Sequence, residues 1–352
     1  MFPSYFQAIL PHKKERLMTA ETSLSVTVAG GGSWGSALAH VLASAGHDVT
    51  IVLRDESVAQ AINERHENPR YLPGKPIHPG VKASTSPEVL RNTALLVLAV
   101  PCQQQRIWLK RARLFLPEEC LVVNASKGLE NGTCLTMSHV VFEELSALRP
   151  RYAVISGPSF ASEVMDGQPT AVVLGCQDEG TGSRLREIFS TSFFRCYSST
   201  DVTGVETGGA LKNVMAIAAG VCDGLGLGHN SRAALITRGL AEMSRLGAAC
   251  GARRSTFMGL SGLGDLTLTC TGDLSRNRQV GLRLGRGENP EAITRNLGMV
   301  AEGVKTTAAV HALALRLGID APITAAMHCV LYEGQAPREA LKILMNRDLR
   351  EE

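Results

Sequence analysis

No apolar run in this chain reaches about 18 residues without interruption, so no transmembrane helix is expected. Net charge is also scarce. A formal +3 spread over 352 residues makes no broad basic field, which argues against nucleic acid or a membrane surface as the main partner. An anion bound here should be small and met locally. There is no CxxC pair and no cluster of histidines at metal-ligand spacing, so neither a zinc site nor a redox dithiol is expected. The nine cysteines, at 102, 120, 134, 176, 196, 222, 250, 270 and 329, are scattered through strand-like and helical runs. Their odd number fits reduced thiols in a cytoplasm better than a disulfide framework. The order of a signal peptide is missing too, because the apolar MFPSYFQAIL precedes Lys13, Lys14 and Arg16 instead of following them. Residues 1–22 read as an N-terminal extension, with Met18 as an alternative start.

What is present is organised around residues 206–220, ETGGALKNVMAIAAG, a stretch of small and apolar residues that reads as a closely packed helix. At helical spacing the neighbours of Lys212 are Gly208, Gly209, Met215 and Ala216, none of them polar. A lysine on a solvated face has polar company, so this one should be partly enclosed. Two readings stay open: a stem lying on apolar surface with its ammonium in water, or a desolvated general acid and base.

Along the chain, Leu24 to Ala29 is a β-branched strand that runs into Gly30, Gly31, Gly32, Ser33, Trp34 and Gly35, the pattern GxGxxG. A helix from Ser36 to Ala45 and a second strand from His47 to Leu53 complete a βαβ unit, which lifts the motif above a common tight turn. Gly30 permits the turn, Gly32 leaves room for a pyrophosphate and Gly35 lets helix and strand pack closely. The helix N-terminus then faces the phosphates with its N–H groups. Leu53, Arg54 and Asp55 follow the second strand. An acid there would hold ribose hydroxyls and an arginine a 2′-phosphate, so the order leans toward NADP while leaving NAD open.

Pro69, Pro73, Gly74, Pro76, Pro79 and Gly80 mark an irregular loop. The βα rhythm resumes with the apolar strands 94–100, 121–125 and 152–155, and further strands are read at 171–174 and 194–197. Ser126, Lys127 and Gly128 follow one of these strands, and the SGPSF of Ser156 to Phe160 follows the next. Ligands of open α/β sheets bind beyond such carboxyl ends. From about Asp201 the chain becomes helical, so Lys212 falls on the first helix of a second domain, at the junction where substrates are enclosed. The glycines of Gly224 to Gly228 are read as structural, with Asn230 and Ser231 as N-caps of a long helix, Arg232 to Ala249. Asp265, between apolar residues in GLSGLGDLTLTC, wants a cation, and Lys212 is the candidate. Ser275, Arg276 and Asn277 offer a hydroxyl, a guanidinium fork and an amide, a donor set suited to phosphate and compatible with a helix start at Ser275.

As a set, GGGSWGSALA, NPRYLPG, NASKGLE, SGPSFASEV, ALKNVMAIAAG, GLGHNSRAALITRGL, GLSGLGDLTLTC, LSRNRQVG and VAEGV resemble NAD(P)-dependent glycerol-3-phosphate dehydrogenase of the soluble bacterial type, over residues 24–345. The resemblance implies an α/β Rossmann-type dinucleotide-binding domain at 23–203. It is followed at 204–352 by an all-α domain of the 6-phosphogluconate dehydrogenase C-terminal type. It also implies reversible reduction of dihydroxyacetone phosphate to sn-glycerol 3-phosphate, which feeds glycerophospholipid synthesis. Carried over by motif, cofactor contacts fall on Ser33, Trp34, Arg54, Lys127, Ala161, Arg276, Val300 and Glu302, beside the glycines of the βα turn. The proton donor falls on Lys212. Substrate contacts fall on Lys127, Gly157, Ser159, Asp265, Ser275, Arg276 and Asn277, with Asn213 and Thr269 as helpers. The chain departs from the pattern in its N-terminal extension and in VLRDE, which lacks the tryptophan often found before the arginine.

The expected mechanism places Lys212 as ammonium at the carbonyl oxygen, Asp265 orienting it, Lys127 adding charge nearby, and Arg276 with Asn277 on the phosphate. No metal is called for. NADP is the favoured cofactor with NAD usable, the partner is a small phosphorylated molecule, and a homodimer is open. Two rivals are a dehydrogenase of the same architecture acting on a hydroxy acid or sugar acid, which would lack LSRN and GLGDL, and a non-catalytic dinucleotide sensor, free to lose Lys212 and Asp265.

Overall fold

The computed structural model describes residues 23–296 and 301–348. The first half alternates strands and helices in the order β1 (Ser25–Ala29), α1 (Ser33–Ser44), β2 (Asp48–Val52), α2 (Glu56–Arg65), β3 (Glu67–Asn68), β4 (Leu72–Pro76), β5 (Val81–Ser84), β6 (Leu95–Leu98) and α3 (Cys102–Ala112). It continues with β7 (Leu121–Asn124), α4 (Met137–Leu145), β8 (Arg151–Ser156), α5 (Ala161–Met165), β9 (Thr170–Gly175), α6 (Glu179–Phe189) and β10 (Phe194–Ser199). Eight of these strands form one sheet in the order β10-β9-β8-β7-β6-β1-β2-β5. Sequence order reverses on either side of β1, and this switch point is where an open α/β sheet takes its ligand. Ala29 pairs with Val52 and Leu98, and Leu98 with Asn124, so four strands end together and deliver their loops to one edge.

Two features differ from or go beyond the sequence reading. β9 and β10 run parallel to each other, but β8 and β9 are antiparallel, so the last pair reverses the direction of the rest. Residues 67–76, read from their prolines and glycines as irregular, hold a short antiparallel ladder of β3 and β4. Prolines are tolerated there because an edge strand need not donate every N–H. α1 begins at Ser33, earlier than the sequence reading, because Gly32 takes the extended N-cap conformation.

The second half is helical: α7 (Val202–Gly224), α8 (His229–Ala249), α9 (Asp265–Thr271), α10 (Arg276–Gly285), α11 (Pro290–Asn296), α12 (Glu302–Leu317), α13 (Pro322–Tyr332) and α14 (Pro337–Met345). α8 starts at His229 with Gly228 as N-cap and no side-chain cap, so Asn230 and Ser231 lie inside the helix. α7 is the axle of this half. Every residue from Gly204 to Cys222 is buried, and small side chains let other helices close around it. A Cβ on Gly281 of α10 would collide with the Ile217 carbonyl, and one on Gly220 with the Arg278 carbonyl, so α7 and α10 touch backbone to backbone. Glu206 fastens α7 to the first half by accepting from Ser138 N (2.9 Å), Ser138 Oγ (2.6 Å) and the Tyr152 hydroxyl (2.5 Å).

Candidate active site

Lys212 is 7% exposed and Asp265 1%. Lys212 Nζ donates to Asp265 Oδ1 at 2.7 Å and to Thr269 Oγ1 at 2.8 Å. Lys127 Nζ, arriving from the loop after β7, donates to Asp265 Oδ2 at 2.6 Å and to the Gly157 carbonyl at 3.3 Å. One carboxylate thus holds two ammonium groups from opposite halves of the molecule. Asp265 opens α9 directly after a π-helical turn, Leu260–Gly264, an irregularity often found where a side chain must be aimed. Two glycines on α7 make room one turn before Lys212. A Cβ on Gly208 would lie 2.6 Å from the Ser261 carbonyl of that turn, and one on Gly209 would lie 2.9 Å from Ser156 Oγ and 3.4 Å from Lys127 Cγ.

Burial pushes Lys212 down from 10.5 to about 8; the Asp265 charge opposes the shift and the Lys127 charge adds to it. For Asp265 burial works against the charge, but Lys127 and Lys212 outweigh it and hold the carboxyl below its ordinary value. A lysine near 8 is poised to hold a proton at neutral pH and to give it up within reach of neutrality.

Beside this triad stands the N-terminus of α10. Ser275 caps it, its Oγ accepting from Arg278 N at 3.2 Å. Arg276 is exposed and has no hydrogen bond or ion pair among the described residues. Asn277 is buried as a strut: its Nδ2 donates to Asn213 Oδ1 at 2.8 Å and its Oδ1 accepts from Gly303 N at 3.0 Å, joining α10 to α7 and α12. One of its two N–H groups is therefore engaged within the protein. Arg278, which the sequence reading passed over, ion-pairs with Asp223 at 2.7 Å and Asp273 at 2.8 Å and anchors the same turn. Ser159 Oγ donates to the Gly157 carbonyl at 3.0 Å, beside Lys127.

At the glycine-rich turn Gly30 has φ +112, a conformation glycine adopts freely, and a Cβ on Gly35 would collide with the Gly30 carbonyl. A Cβ on Gly32 would meet nothing within 4 Å, so the backbone there faces open space. Ser33 Oγ donates to the Tyr71 carbonyl at 2.9 Å. The buried Trp34 indole N–H has no partner among the described residues. This open, donor-rich turn at a helix N-terminus fits a dinucleotide pyrophosphate. Arg54 is exposed, while Asp55 caps α2 and ion-pairs with Arg70 at 2.8 Å. Ala161 begins α5. Val300 lies outside the described residues. Glu302 opens α12, and its Oε1 accepts from Cys102 N at 3.1 Å at the start of α3, joining the two halves beside the crevice. Burial pushes its carboxyl up. Among the described residues no group of three or more His, Cys, Asp or Glu could hold a metal ion.

A glycine-rich βα turn at the switch point of the sheet, with a buried lysine and carboxylate at the junction with a helical domain, defines a two-domain NAD(P)-dependent dehydrogenase. The N-terminal part of NAD-dependent glycerol-3-phosphate dehydrogenase matches residues 25–181 and its C-terminal part residues 201–342, and the chain belongs to this family. It is 64% identical over 329 residues to the glycerol-3-phosphate dehydrogenase, NAD(P)+, of Desulfovibrio desulfuricans, covering 94% of this chain and 99% of the relative. The corresponding protein of Nitratidesulfovibrio vulgaris strain DP4 is 60% identical over 330 residues, covering 94% of this chain and all of the relative. Among solved structures, glycerol-3-phosphate dehydrogenase from Coxiella burnetii superposes with a TM-score of 0.88 at 38% identity, covering 92% of this chain and 99% of that one.

Proposed function

We propose that the chain catalyses the reversible reduction of dihydroxyacetone phosphate to sn-glycerol 3-phosphate, a supply step for glycerophospholipids, with Lys212 as proton donor and acceptor. The observation that carries this reading is the buried Lys212–Asp265 pair at 2.7 Å, next to the N-terminus of α10 with its exposed Arg276. The dinucleotide, when bound, supplies the hydride. Negative charge then grows on the carbonyl oxygen, and Lys212 as ammonium both stabilises it and delivers the proton. Asp265 aims Lys212 and sets its protonation. Lys127, tied to the other oxygen of Asp265, adds positive charge to the same pocket. Thr269 limits the rotation of Lys212, while Asn213 and Asn277 hold α10 in register with α7. Arg276, with Ser275 and the first N–H groups of α10, grips the phosphate and so orients the carbonyl. Gly157 and Ser159 line the substrate side of Lys127. Ser33, Trp34, Ala161 and Glu302 complete the cofactor contacts beside Gly30, Gly32 and Gly35.

The division of labour follows residues 23–203 for the dinucleotide and 204–352 for catalysis. NADPH is preferred and NADH remains usable, because Arg54 is exposed and available to a 2′-phosphate whereas Asp55 is occupied. Replacing Arg54 with Ala should weaken NADPH by about 1–3 kcal/mol and NADH much less. A cytoplasmic setting is supported by nine free thiols. Among the described residues no helix is long and apolar enough to cross a membrane. Sedimentation velocity decides between a monomer and a homodimer.

The deciding assay is oxidation of NADPH and NADH by dihydroxyacetone phosphate, compared with unphosphorylated dihydroxyacetone and with a carboxylated ketone. Turnover favouring the phosphorylated ketone is expected. Preference for the carboxylate would move the chain to the hydroxy-acid reading.

A further inference from the structure

Asp55 stands 20 residues after Gly35, where an NAD site places the acid that holds the ribose hydroxyls. Its carboxylate is already engaged. Oδ1 accepts from Ser57 Oγ at 2.7 Å, Ser57 N at 3.1 Å and Val58 N at 3.4 Å, which caps α2. Oδ2 accepts from Arg70 Nη1 at 2.8 Å. Three donors crowd Oδ1 and Arg70 holds Oδ2, so a ribose would compete with the cap on one oxygen and share the other with the arginine.

Arg70 belongs to the turn between β3 and β4, and that turn is fastened to the glycine-rich loop. Asn68 Nδ2 donates to the Gly31 carbonyl and to Ser36 Oγ, both at 2.9 Å, and Asn68 Oδ1 accepts from Tyr71 N at 3.2 Å. Ser33 Oγ closes the contact on the Tyr71 carbonyl at 2.9 Å. The guanidinium lies 5.3 Å from the Tyr71 ring centroid, and its side chain is 57% exposed. Of its five donors only Nη1 is engaged, on Asp55. Arg54 adjoins Asp55 in sequence and is also exposed.

We propose that Arg70 is a second cofactor-specificity residue: with Arg54 it receives the 2′-phosphate of NADPH, releasing Asp55 to its capping role, and with NADH the Arg70–Asp55 pair stays closed. Asp55 then acts as an internal competitor for the 2′-phosphate, which limits the preference for NADPH and leaves NADH usable. This rests on the reading that the dinucleotide binds at Gly30 to Gly35, but not on the identity of the ketone.

The test is therefore direct binding. Isothermal titration of the full chain with NADPH, NADH, 2′,5′-ADP and 5′-AMP is run on the wild type, Arg54→Ala, Arg70→Ala and Asp55→Asn, with thermal midpoints as a check on folding. Asn retains the side-chain oxygen that caps α2 and loses the competing charge. Arg70→Ala should weaken NADPH and 2′,5′-ADP about tenfold relative to NADH and 5′-AMP, the lower end for a charge-assisted contact at an exposed site. Asp55→Asn should shift the same ratio about threefold the other way. An unchanged ratio in Arg70→Ala would overturn the proposal, as would a ratio lowered by Asp55→Asn. If Arg54→Ala lowers the ratio and Arg70→Ala does not, Arg70 alone is excluded and the preference for NADPH stands. If dihydroxyacetone phosphate fails as a substrate while the binding ratios move as stated, the proposed reaction fails and this proposal holds.

Discussion

Asp265→Asn isolates the charge that two lysines share while nearly conserving shape. In the intact site Asp265 faces Lys212 at 2.7 Å and Lys127 at 2.6 Å, and Lys212 titrates near 8 against an ordinary 10.5. That displacement means the charged form is disfavoured in the folded protein by about 3 kcal/mol, even with Asp265 present. The sign follows from proton counts. Between pH 8 and 10.5 the unfolded chain binds more protons at Lys212 than the folded one, so this penalty is full below about 8 and fades as pH rises toward 10.5. Asp265, held below its ordinary 3.8, contributes stability that is present above that value and is lost as pH falls through its folded pKa.

Removing the carboxylate charge removes the main opposition to burial. An opposite charge at this range is worth about 1–3 pKa units, so Lys212 should drop to roughly 5–7 in the variant. In the wild type kcat/KM for ketone reduction should be level up to about pH 8 and fall above it, because the ammonium is the acid. In Asp265→Asn that fall should begin at least one unit lower. Oxidation of glycerol 3-phosphate needs the neutral amine, so its rising limb should move to lower pH by the same amount. Two lysines left without their shared counter-charge should also destabilise the fold by about 3–5 kcal/mol, partly relieved when Lys212 deprotonates. The assay is a pH series from 5.5 to 9.5 (roughly, the span that brackets both limbs) in each direction, with thermal unfolding at each pH. A folded variant whose reduction limb stays at about pH 8 would refute the view that Asp265 sets the protonation of Lys212.

Three further outcomes are expected. Lys212→Ala should lower kcat by about 10²-fold or more while NADPH titration stays nearly normal, and near-wild-type turnover in the folded variant would sink the mechanism. Arg276→Ala should raise KM and lower kcat together, by about 1.5–3 kcal/mol in kcat/KM, on dihydroxyacetone phosphate. Equal damage with unphosphorylated dihydroxyacetone would instead point Arg276 toward the cofactor. Gly281→Ala should push α10 off the Ile217 carbonyl of α7, with a loss of about 1–3 kcal/mol in urea unfolding and a raised KM. Unchanged stability would mean that the two helices separate freely.

The features of this protein legible from sequence are those whose physics is local. GxGxxG was readable because Gly30 and Gly35 answer to the backbone within a few residues, a positive φ and a contact with the turn itself. The enclosure of Lys212 was readable because helical spacing puts only apolar and small residues around it, whatever the helix packs against. Asp265 could be singled out for the same reason, as a charge that its own neighbours do not satisfy. Tertiary structure alone decided where distant segments meet. It gave Asp265 a second lysine, Lys127, 138 residues away in sequence, and turned Asn277 into a strut on Asn213. It reversed β9 and β10, because a buried apolar strand reads the same in either direction. It made an ordered hairpin of the proline-rich stretch at 67–76, held by Asn68 on the glycine loop, and so carried Arg70 to Asp55. Composition and periodicity describe what a segment needs, a buried face or a counter-charge. Which of many eligible segments supplies it depends on the path of the whole chain, and that is not written in any one of them.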